Sequence, residues 1–413
     1  MDQISKTKIS TANKFFSIFF AIYPILCIYK GFSKFTFGDL ILIVFLLMSL
    51  TKPIDINNRL FSAFIFLSYS ALTLFFNVFF SQSINGTDEF PSLLFRIVKL
   101  IFYMLCVFTT GLKYFNFKIF KHTIYISAVM ATVFIVFQYF SYYILGKIIL
   151  GQIPGLPIYL EDYAQLDYDK IYGYMFRPSS FFLEPSIFCQ YTIAALIISL
   201  FTKSDDKKCR VMLNAAFTIG ILLTTAGQGV LYLIVVYGLY LIMNLKNPIY
   251  TIVFSIFAFI FAKISYDKIE AVKMAVDRLS NQNAKDARFS SYSYCFSLND
   301  IHALFGYGYG STANGVYMPG AAYVWYGCGI IGLILAFLMF YSFFRSADNK
   351  CSKIICLIFF IMFFVTSLFY NYMLYWYFSL MILTGNKYII SSELQNKNEN
   401  SLHSGSIQTE SVR

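Results

Sequence analysis

The chain carries few charged residues for its length. Of its 413 residues only 13% are Asp, Glu, Lys or Arg, against about 25% in ordinary soluble domains. This shortage excludes a typical soluble enzyme, because such a protein needs a charged surface around its core. Hydrophobic residues make up 58% of the sequence, and the mean hydropathy is +0.64. The composition predicts a polytopic integral membrane protein.

The sequence also lacks the pattern of a metal centre or a disulfide framework. It has three histidines, His122, His302 and His403, which lie far apart in the sequence. Its eight cysteines include no Cys-x-x-Cys pair, and most of them fall in or beside apolar runs. We therefore predict no metal and no cofactor.

Continuous apolar runs of about 20 residues, each long enough to cross a bilayer as a helix, recur along most of the chain. Because these runs do not alternate with polar residues, they favour helices over strands. The predicted fold class is all-α, an integral membrane protein with about twelve transmembrane helices. The predicted spans are residues 14–30, 37–51, 59–80, 93–111, 121–145, 186–202, 211–226, 228–244, 248–265, 319–344, 353–369 and 371–390.

The N-terminal segment combines a basic start with an apolar stretch, which raises the alternative of a signal peptide. No small-residue cleavage site follows this stretch, and further spans do follow it. We interpret the segment as an uncleaved first span.

Short basic loops predict the orientation in the membrane. Residues 112–121, 203–210 and 345–353 are rich in Lys and Arg and fall on one side if the N-terminus is cytoplasmic. The polar tail 391–413 is then cytoplasmic too, and its composition predicts disorder. Residues 1–390 form a single transmembrane domain. The formal net charge of +11 reflects the cytoplasmic loops rather than a nucleic-acid partner.

This topology leaves two long connections outside the cytoplasm, residues 146–185 and 266–318. Both exceed the usual length of connections in compact proteins, which makes them functional candidates. The first connection ends within "MFRPSSFFLEPSIFCQY". There Pro185 suits the first turn of a helix, and Glu184 lies at the N-terminus of that helix.

Two interpretations of Arg177 and Glu184 remain open. In the first, Glu184 caps the helix and Arg177 contacts the loop or a lipid headgroup. In the second, Arg177 binds an anionic group, and Glu184 orients or deprotonates a substrate hydroxyl.

Two further pairs of cations are candidates for binding an anion. Arg278 and Arg288 lie in the second connection, and guanidinium groups fit phosphate oxygens in a bidentate manner. The alternative is contact with ordinary anionic lipids. Arg96 and Lys99 interrupt the fourth span at a spacing that places them on one helix face. They are either functional charges or side chains that reach out to the membrane surface.

A glycine-rich stretch, "LFGYGYG", closes the second connection. No βαβ unit surrounds it, so a nucleotide-binding interpretation fails. Gly306 and Gly308 are expected to let the backbone pass close to a ligand or to another helix. His302, just upstream, is either a general base or a packing residue. An acidic cluster in the first connection fits a solvated loop better than a sugar or cation site: Glu161, Asp162, Asp167 and Asp169.

The order of these features resembles the Wzy family of O-antigen and polysaccharide repeat-unit polymerases. The resemblance covers residues 10–390 and is mostly architectural: many spans, two large external loops and aromatic-rich spans. The local matches are "RPSSFFLEPSIFCQY", the arginines Arg278 and Arg288, "LFGYGYG" and "YVWYGCGIIGLIL". In the related O-antigen ligases a histidine often follows the glycine-rich turn. Here "STANGVYMPGAAY" has none, which favours a polymerase.

The resemblance implies a glycosyltransferase at the external face of the inner membrane that joins undecaprenyl-diphosphate-linked oligosaccharides. Arginines would stabilise the departing diphosphate, and Glu184 would act on the acceptor hydroxyl. The catalytic candidates are Glu184, Arg177 and Arg288. The substrate-binding candidates are Arg278, Arg96, Lys99, His302, Gly306 and Gly308.

Implied partners are the lipid-linked oligosaccharide, membrane lipid, and a chain-length regulator and flippase of the same pathway. One alternative is an O-antigen ligase that transfers polymer to lipid A core. The other is a flippase or transporter, which would favour internal repeats and charges deep in several spans.

Overall fold

The structure is a computed structural model. It describes residues 10–50, 58–80, 90–159, 176–202, 206–244, 290–313, 316–367 and 372–385. Within these ranges the chain forms helices and two isolated β-bridges, and no strand occurs. The all-α prediction is confirmed for this part of the chain.

Each predicted span except 248–265 overlaps a helix, and 248–265 lies outside the described residues. The helices are α1 (Thr11–Leu26), α2 (Phe37–Ser49), α3 (Asn58–Phe80), α4 (Phe90–Cys106), α5 (Phe117–Leu145), α6 (Pro185–Phe201), α7 (Lys207–Leu223), α8 (Gly227–Asn244), α9 (Asp300–Phe305), α10 (Gly320–Arg345), α11 (Lys350–Val365) and α12 (Met373–Leu383). A π-helical turn, Val107–Gly111, continues α4.

Several helices have the length and the apolar surface that a membrane requires. Among the described residues, Phe90–Gly111, Phe117–Leu145 and Gly320–Arg345 are long and apolar enough to cross a bilayer. Shorter apolar helices are Thr11–Leu26, Phe37–Ser49, Phe61–Phe75, Pro185–Phe201, Gly227–Met243 and Met373–Leu383. Large apolar side chains are exposed, such as Phe61 at 64% and Val211 at 65%. Soluble proteins rarely expose wide apolar surfaces, so the fold is suited to a membrane.

Contacts between connections and helix termini identify two ends of the described bundle. At one end, the turn after α1 meets the chain after α5: Lys30 N–H donates to Pro157 O at 2.9 Å, and Tyr159 N–H donates to Ile28 O at 2.8 Å. We call this end the site end; it comprises residues 27–36, 146–159, 176–184 and 306–313. At the opposite end, Asn349 Nδ2 donates to Thr384 O at 2.6 Å.

In the centre of the bundle, a side chain of another helix supplies a hydrogen bond that α1 lacks at a proline. Pro24, inside α1, has no N–H, so the carbonyl of Phe20 loses its helical donor. The indole Nε1 of Trp376 in α12 donates to that carbonyl at 2.9 Å. Tyr191 of α6 donates to Ala21 O at 2.9 Å, and its ring stacks on Trp376. These contacts join α1 to α6 and α12, the two helices that are buried almost throughout.

The second predicted connection is not a plain loop. Its described part contains a helix at residues 290–296 followed by α9. Cys295 and Leu298 are buried, and the Cys295 thiol lies 3.5 Å from Ala322 O in α10. The sequence has too few apolar residues there to form a long run. A short amphipathic helix that packs against a larger one leaves only this weak pattern.

Candidate anion-binding site

A buried carboxylate occupies the start of α2 at the site end. Asp39 is fully buried and forms a capping box with Thr36. The Asp39 N–H donates to Thr36 Oγ1 at 3.2 Å, and the Thr36 N–H donates to Asp39 Oδ2 at 3.0 Å. This arrangement satisfies two N–H groups at the helix terminus and fixes the carboxylate.

Three side chains from α1 and α4 converge on that carboxylate. The hydroxyls of Tyr23 and Tyr103 both donate to Asp39 Oδ1, at 2.8 Å and 3.0 Å. The Lys99 ammonium lies 3.6 Å from Asp39 Oδ2 and is 12% exposed. A buried charge requires such compensation, because removal of one partner of a buried ion pair costs about 3–5 kcal/mol. Asp39 therefore anchors Lys99 from the interior.

Lys99 and Arg96 share a face of α4, as their spacing predicted. Both line a small pocket at the site end, together with Leu100, Tyr103, Tyr309, Tyr323 and Leu374. The Lys99 ammonium also lies over the ring of Tyr159, 5.1 Å from its centroid, and over that of Tyr103 at 5.6 Å. Aromatic faces hold a cation without neutralising its charge. The pocket thus combines two cationic side chains with an aromatic wall.

Tyr309 adds a hydrogen-bond donor to this wall. Burial, and then the neighbouring Tyr323 and Cys328, raise the pKa of the Tyr309 hydroxyl well above its usual value. The phenol therefore keeps its proton at neutral pH. A protonated phenol beside two cations suits the recognition of an anion with several oxygen atoms.

Arg96 also fixes the glycine-rich turn against α4. Its guanidinium Nη1 donates to Gly310 O. Gly310 has φ of 102°, and a Cβ there would lie 3.1 Å from Arg96 Cδ and 3.3 Å from Leu93 Cδ2. Only glycine adopts this backbone conformation readily. The turn therefore lies directly on the side chain that lines the pocket.

The preceding glycines pack against α10. Gly306 has φ of 69°, and a Cβ on it would lie 2.4 Å from the carbonyl carbon of Gly327. The carbonyl oxygen of Gly308 is a near neighbour of the same Gly327. Of the two expectations for Gly306 and Gly308, the structure shows the close approach to another helix. Gly308 directly precedes Tyr309, which lines the pocket.

The segment that contains α9 and the glycine-rich turn packs against a kink in α10. Gly329 has non-helical dihedral angles inside the helix, with φ of 65°. The hydroxyl of Tyr69 in α3 lies 3.1 Å from both Leu304 O and Cys328 O. A hydroxyl has one proton, so the two carbonyls share a single bifurcated hydrogen bond. This bond connects α3 to α9 and to the kink in α10.

His302 packs within this segment. Its ring stacks on Tyr307 with centroids 4.3 Å apart, and Nδ1 lies 3.1 Å from Gly306 O. The histidine is half-buried. These contacts fit the packing interpretation of His302 and give the ring a fixed orientation.

Glu184 is the N-cap residue of α6, and Pro185 occupies the first turn, as the sequence predicted. The carboxylate does not cap the helix within the described structure, where its Oε2 accepts a hydrogen bond from the Ser186 hydroxyl at 2.8 Å. Glu184 is partly exposed. The cap interpretation therefore fits the backbone of Glu184, and the side chain is available at the mouth of the helix.

Tyr372, which directly precedes α12, lies near the carboxylates of both Glu184 and Asp39. Both are within electrostatic range of its hydroxyl, and its ring meets Tyr23 edge-on with centroids 6.5 Å apart. Leu374, two positions later, lines the cationic pocket. At the start of α12, therefore, Tyr372 lies near Glu184 and Leu374 lines the pocket.

Arg177 lies elsewhere at the site end. It is partly buried beside α6, within electrostatic range of Cys189, whose thiol lies 3.1 Å from Thr224 Oγ1. This is the side of α6 that faces α7, whereas Arg96 and Lys99 lie on α4.

Other predicted residues lie outside the described part of the chain. They are Arg278, Arg288, Glu161, Asp162, Asp167 and Asp169. In the described ranges, no group of three metal-ligating side chains occurs.

The sequence did not predict five residues at or behind the pocket: Asp39, Tyr23, Tyr103, Tyr309 and Tyr372. One signal could have found Asp39: "TFGD" places Thr and Asp at capping-box spacing, and a carboxylate inside a predicted span is a functional candidate. The tyrosines are common in this chain, and their convergence has no local pattern.

No family model matches the chain, and no curated protein matches it in sequence. The chemical interpretation of the pocket therefore depends on its geometry and on the motifs of the chain itself.

Proposed function

We propose that the protein is a Wzy-type polysaccharide polymerase, a membrane glycosyltransferase that joins oligosaccharide repeat units carried on undecaprenyl diphosphate. In this proposal the chain crosses the inner membrane about twelve times, both termini are cytoplasmic, and the site end faces outward. A flippase would deliver the substrate to that face, and a chain-length regulator would act on the product.

The observation that carries the proposal is the pocket on α4. Arg96 and Lys99 bring two cationic side chains, the second of them paired with Asp39, beside protonated Tyr309, at the end of the bundle where Glu184 also lies. A diphosphate carries several anionic oxygens, and fixed cations in a site of low polarity stabilise it strongly. Tyrosine side chains give the wall both apolar surface and hydroxyl groups for a sugar.

The proposed reaction needs one leaving group and one base. An acceptor hydroxyl attacks the anomeric carbon of the donor, and the bond from that carbon to the diphosphate oxygen breaks. Arg96 and Lys99 stabilise the diphosphate, which leaves with the bonding electron pair. Glu184 takes the proton of the acceptor hydroxyl. Arg177, Arg278 and Arg288 remain candidates for contacts with the same lipid-linked substrates.

A deletion strain tests this proposal. Lys99→Met and Glu184→Gln should each abolish long-chain polysaccharide at normal protein level. The first removes a cation that stabilises the leaving group, which costs about a hundredfold in rate, and the second removes the base. Lys147→Ala is the matched control, since Lys147 is an exposed lysine at the same end. Long chains at wild-type abundance in both site variants would reject the proposal.

The same strain separates a polymerase from a ligase. Without the gene, a polymerase pathway yields single-repeat products on the lipid core. A ligase pathway instead leaves the core uncapped while lipid-linked polymer accumulates.

A further inference from the structure

We infer that Asp39 is a positioning residue that raises the anion affinity of the pocket by holding Lys99, although its own charge opposes an anion. The inference rests on the proposed function, since it assigns a role to a residue that lies behind the same diphosphate pocket. Asp39 does not line the pocket; it lies behind Lys99 in the interior of the bundle.

The two oxygens of Asp39 have separate partners. Oδ1 accepts from Tyr23 and Tyr103, which come from two different helices. Oδ2 faces the Thr36 N–H and Lys99. Because the phenols fix one oxygen, the other is held in a constant direction toward the ammonium group.

Lys99 is restrained from the outer side as well. Its ammonium lies 3.4 Å from Lys34 O and over the rings of Tyr159 and Tyr103. A lysine side chain has four rotatable carbons and loses much entropy when a ligand must order it. Since Asp39 and these partners already order it, an arriving anion meets a charge that is in place.

When Asp39 is replaced by Asn, this inference and simple electrostatics predict opposite changes in anion affinity. Asp39→Asn removes a negative charge near the pocket, and charge alone would then tighten anion binding. If Asp39 acts by positioning Lys99, the same substitution weakens anion binding. The two accounts therefore differ in the direction of the change and not only in its size.

The test uses the purified full-length protein in detergent, with inorganic pyrophosphate as the probe and calorimetry as the readout. We expect Asp39→Asn to raise the Kd at least tenfold, and Lys99→Met to raise it by a similar factor. Asp39→Asn added to Lys99→Met should cause no further loss, because Asp39 acts through Lys99. Lys147→Ala, which removes an exposed lysine at the same end, is the control for general electrostatics and should leave the Kd unchanged.

Tyr23→Phe keeps the test valid if Asp39→Asn unfolds. Tyr23 does not line the pocket, and its hydroxyl donates to Asp39 Oδ1, so loss of that hydroxyl should weaken pyrophosphate binding in the same direction. Thermal unfolding measured in parallel identifies a folded sample. A folded Asp39→Asn protein with unchanged or tighter binding overturns the inference, and so does unchanged binding by Tyr23→Phe.

The outcomes also separate this inference from the proposed function. A weaker affinity in Asp39→Asn, combined with wild-type polysaccharide from both the Lys99→Met and the Glu184→Gln strains, would support positioning and reject the polymerase. A wild-type protein that binds no pyrophosphate would overturn both.

Discussion

The Ser186 hydroxyl donates to Glu184 Oε2 at 2.8 Å, so the carboxylate at the start of α6 is bound by a side chain and not by the first turn of its helix. A capping side chain normally accepts from a helix N–H and contributes about 1 kcal/mol. The backbone of Glu184 has the N-cap conformation, while its side chain makes no cap hydrogen bond and lies at the N-terminus of the helix. Stability and activity should therefore respond differently to its replacement.

The first prediction concerns Glu184→Gln. We expect the free energy of unfolding to change by less than about 0.5 kcal/mol, while glycosyl transfer falls at least about a hundredfold because the base is lost. Thermal unfolding and product formation by the same purified sample measure both. Ser186→Ala keeps the carboxylate and should retain most of the activity. A less stable but fully active Glu184→Gln protein would mean that the residue is structural.

A second prediction follows from the bond between Arg96 and the glycine-rich turn. Arg96→Ala removes a charged donor to Gly310 O, and such bonds contribute about 1.5–3 kcal/mol. The amides of residues 306–313 should exchange hydrogen faster, as measured by mass spectrometry. Lys34→Ala, at the same end, should leave this exchange unchanged. Equal protection in Arg96→Ala would show that the turn does not depend on this bond.

The kink in α10 gives a third prediction. A Cβ on Gly329 would lie 2.1 Å from Leu304 O, so Gly329→Ala forces the backbone to move. We expect a loss of more than about 3 kcal/mol, as for other severe backbone strain. Gly238→Ala in α8 is the matched control, because apart from its chain neighbours and its own helix backbone no described atom lies within 4 Å of its Cβ position. It should be neutral or stabilising by up to about 1 kcal/mol. Similar melting temperatures for both variants would contradict the described packing.

Trp376 provides a fourth prediction, through the carbonyl that Pro24 leaves without a helical donor. Trp376→Phe should cost about 1–3 kcal/mol, since Phe20 O is then buried without its indole partner. Pro24→Ala restores an N–H in α1, so Trp376→Phe should cost less in that background. Unfolding of the four proteins in one detergent gives the coupling energy. Strict additivity would exclude this compensation.

The sequence predicted the helices well because each span is one continuous apolar run, which is a local property. It also placed Arg96 and Lys99 on one face, since three-residue spacing fixes that relation within a helix. Asp39 could not be assigned in this way. Its partners Tyr23 and Tyr103 are 16 and 64 positions away, and no spacing rule links three separate helices.

The central claim is that Arg96 and Lys99 bind the lipid diphosphate during polymer synthesis. The most direct measurement uses wild-type and variant protein in vesicles, supplied with the single lipid-linked repeat unit extracted from the deletion strain, and gel electrophoresis of the product. The account predicts a ladder of chain lengths from the wild type and from Lys147→Ala, and none from the Arg96→Gln, Lys99→Met double variant. A full ladder from that double variant would contradict it.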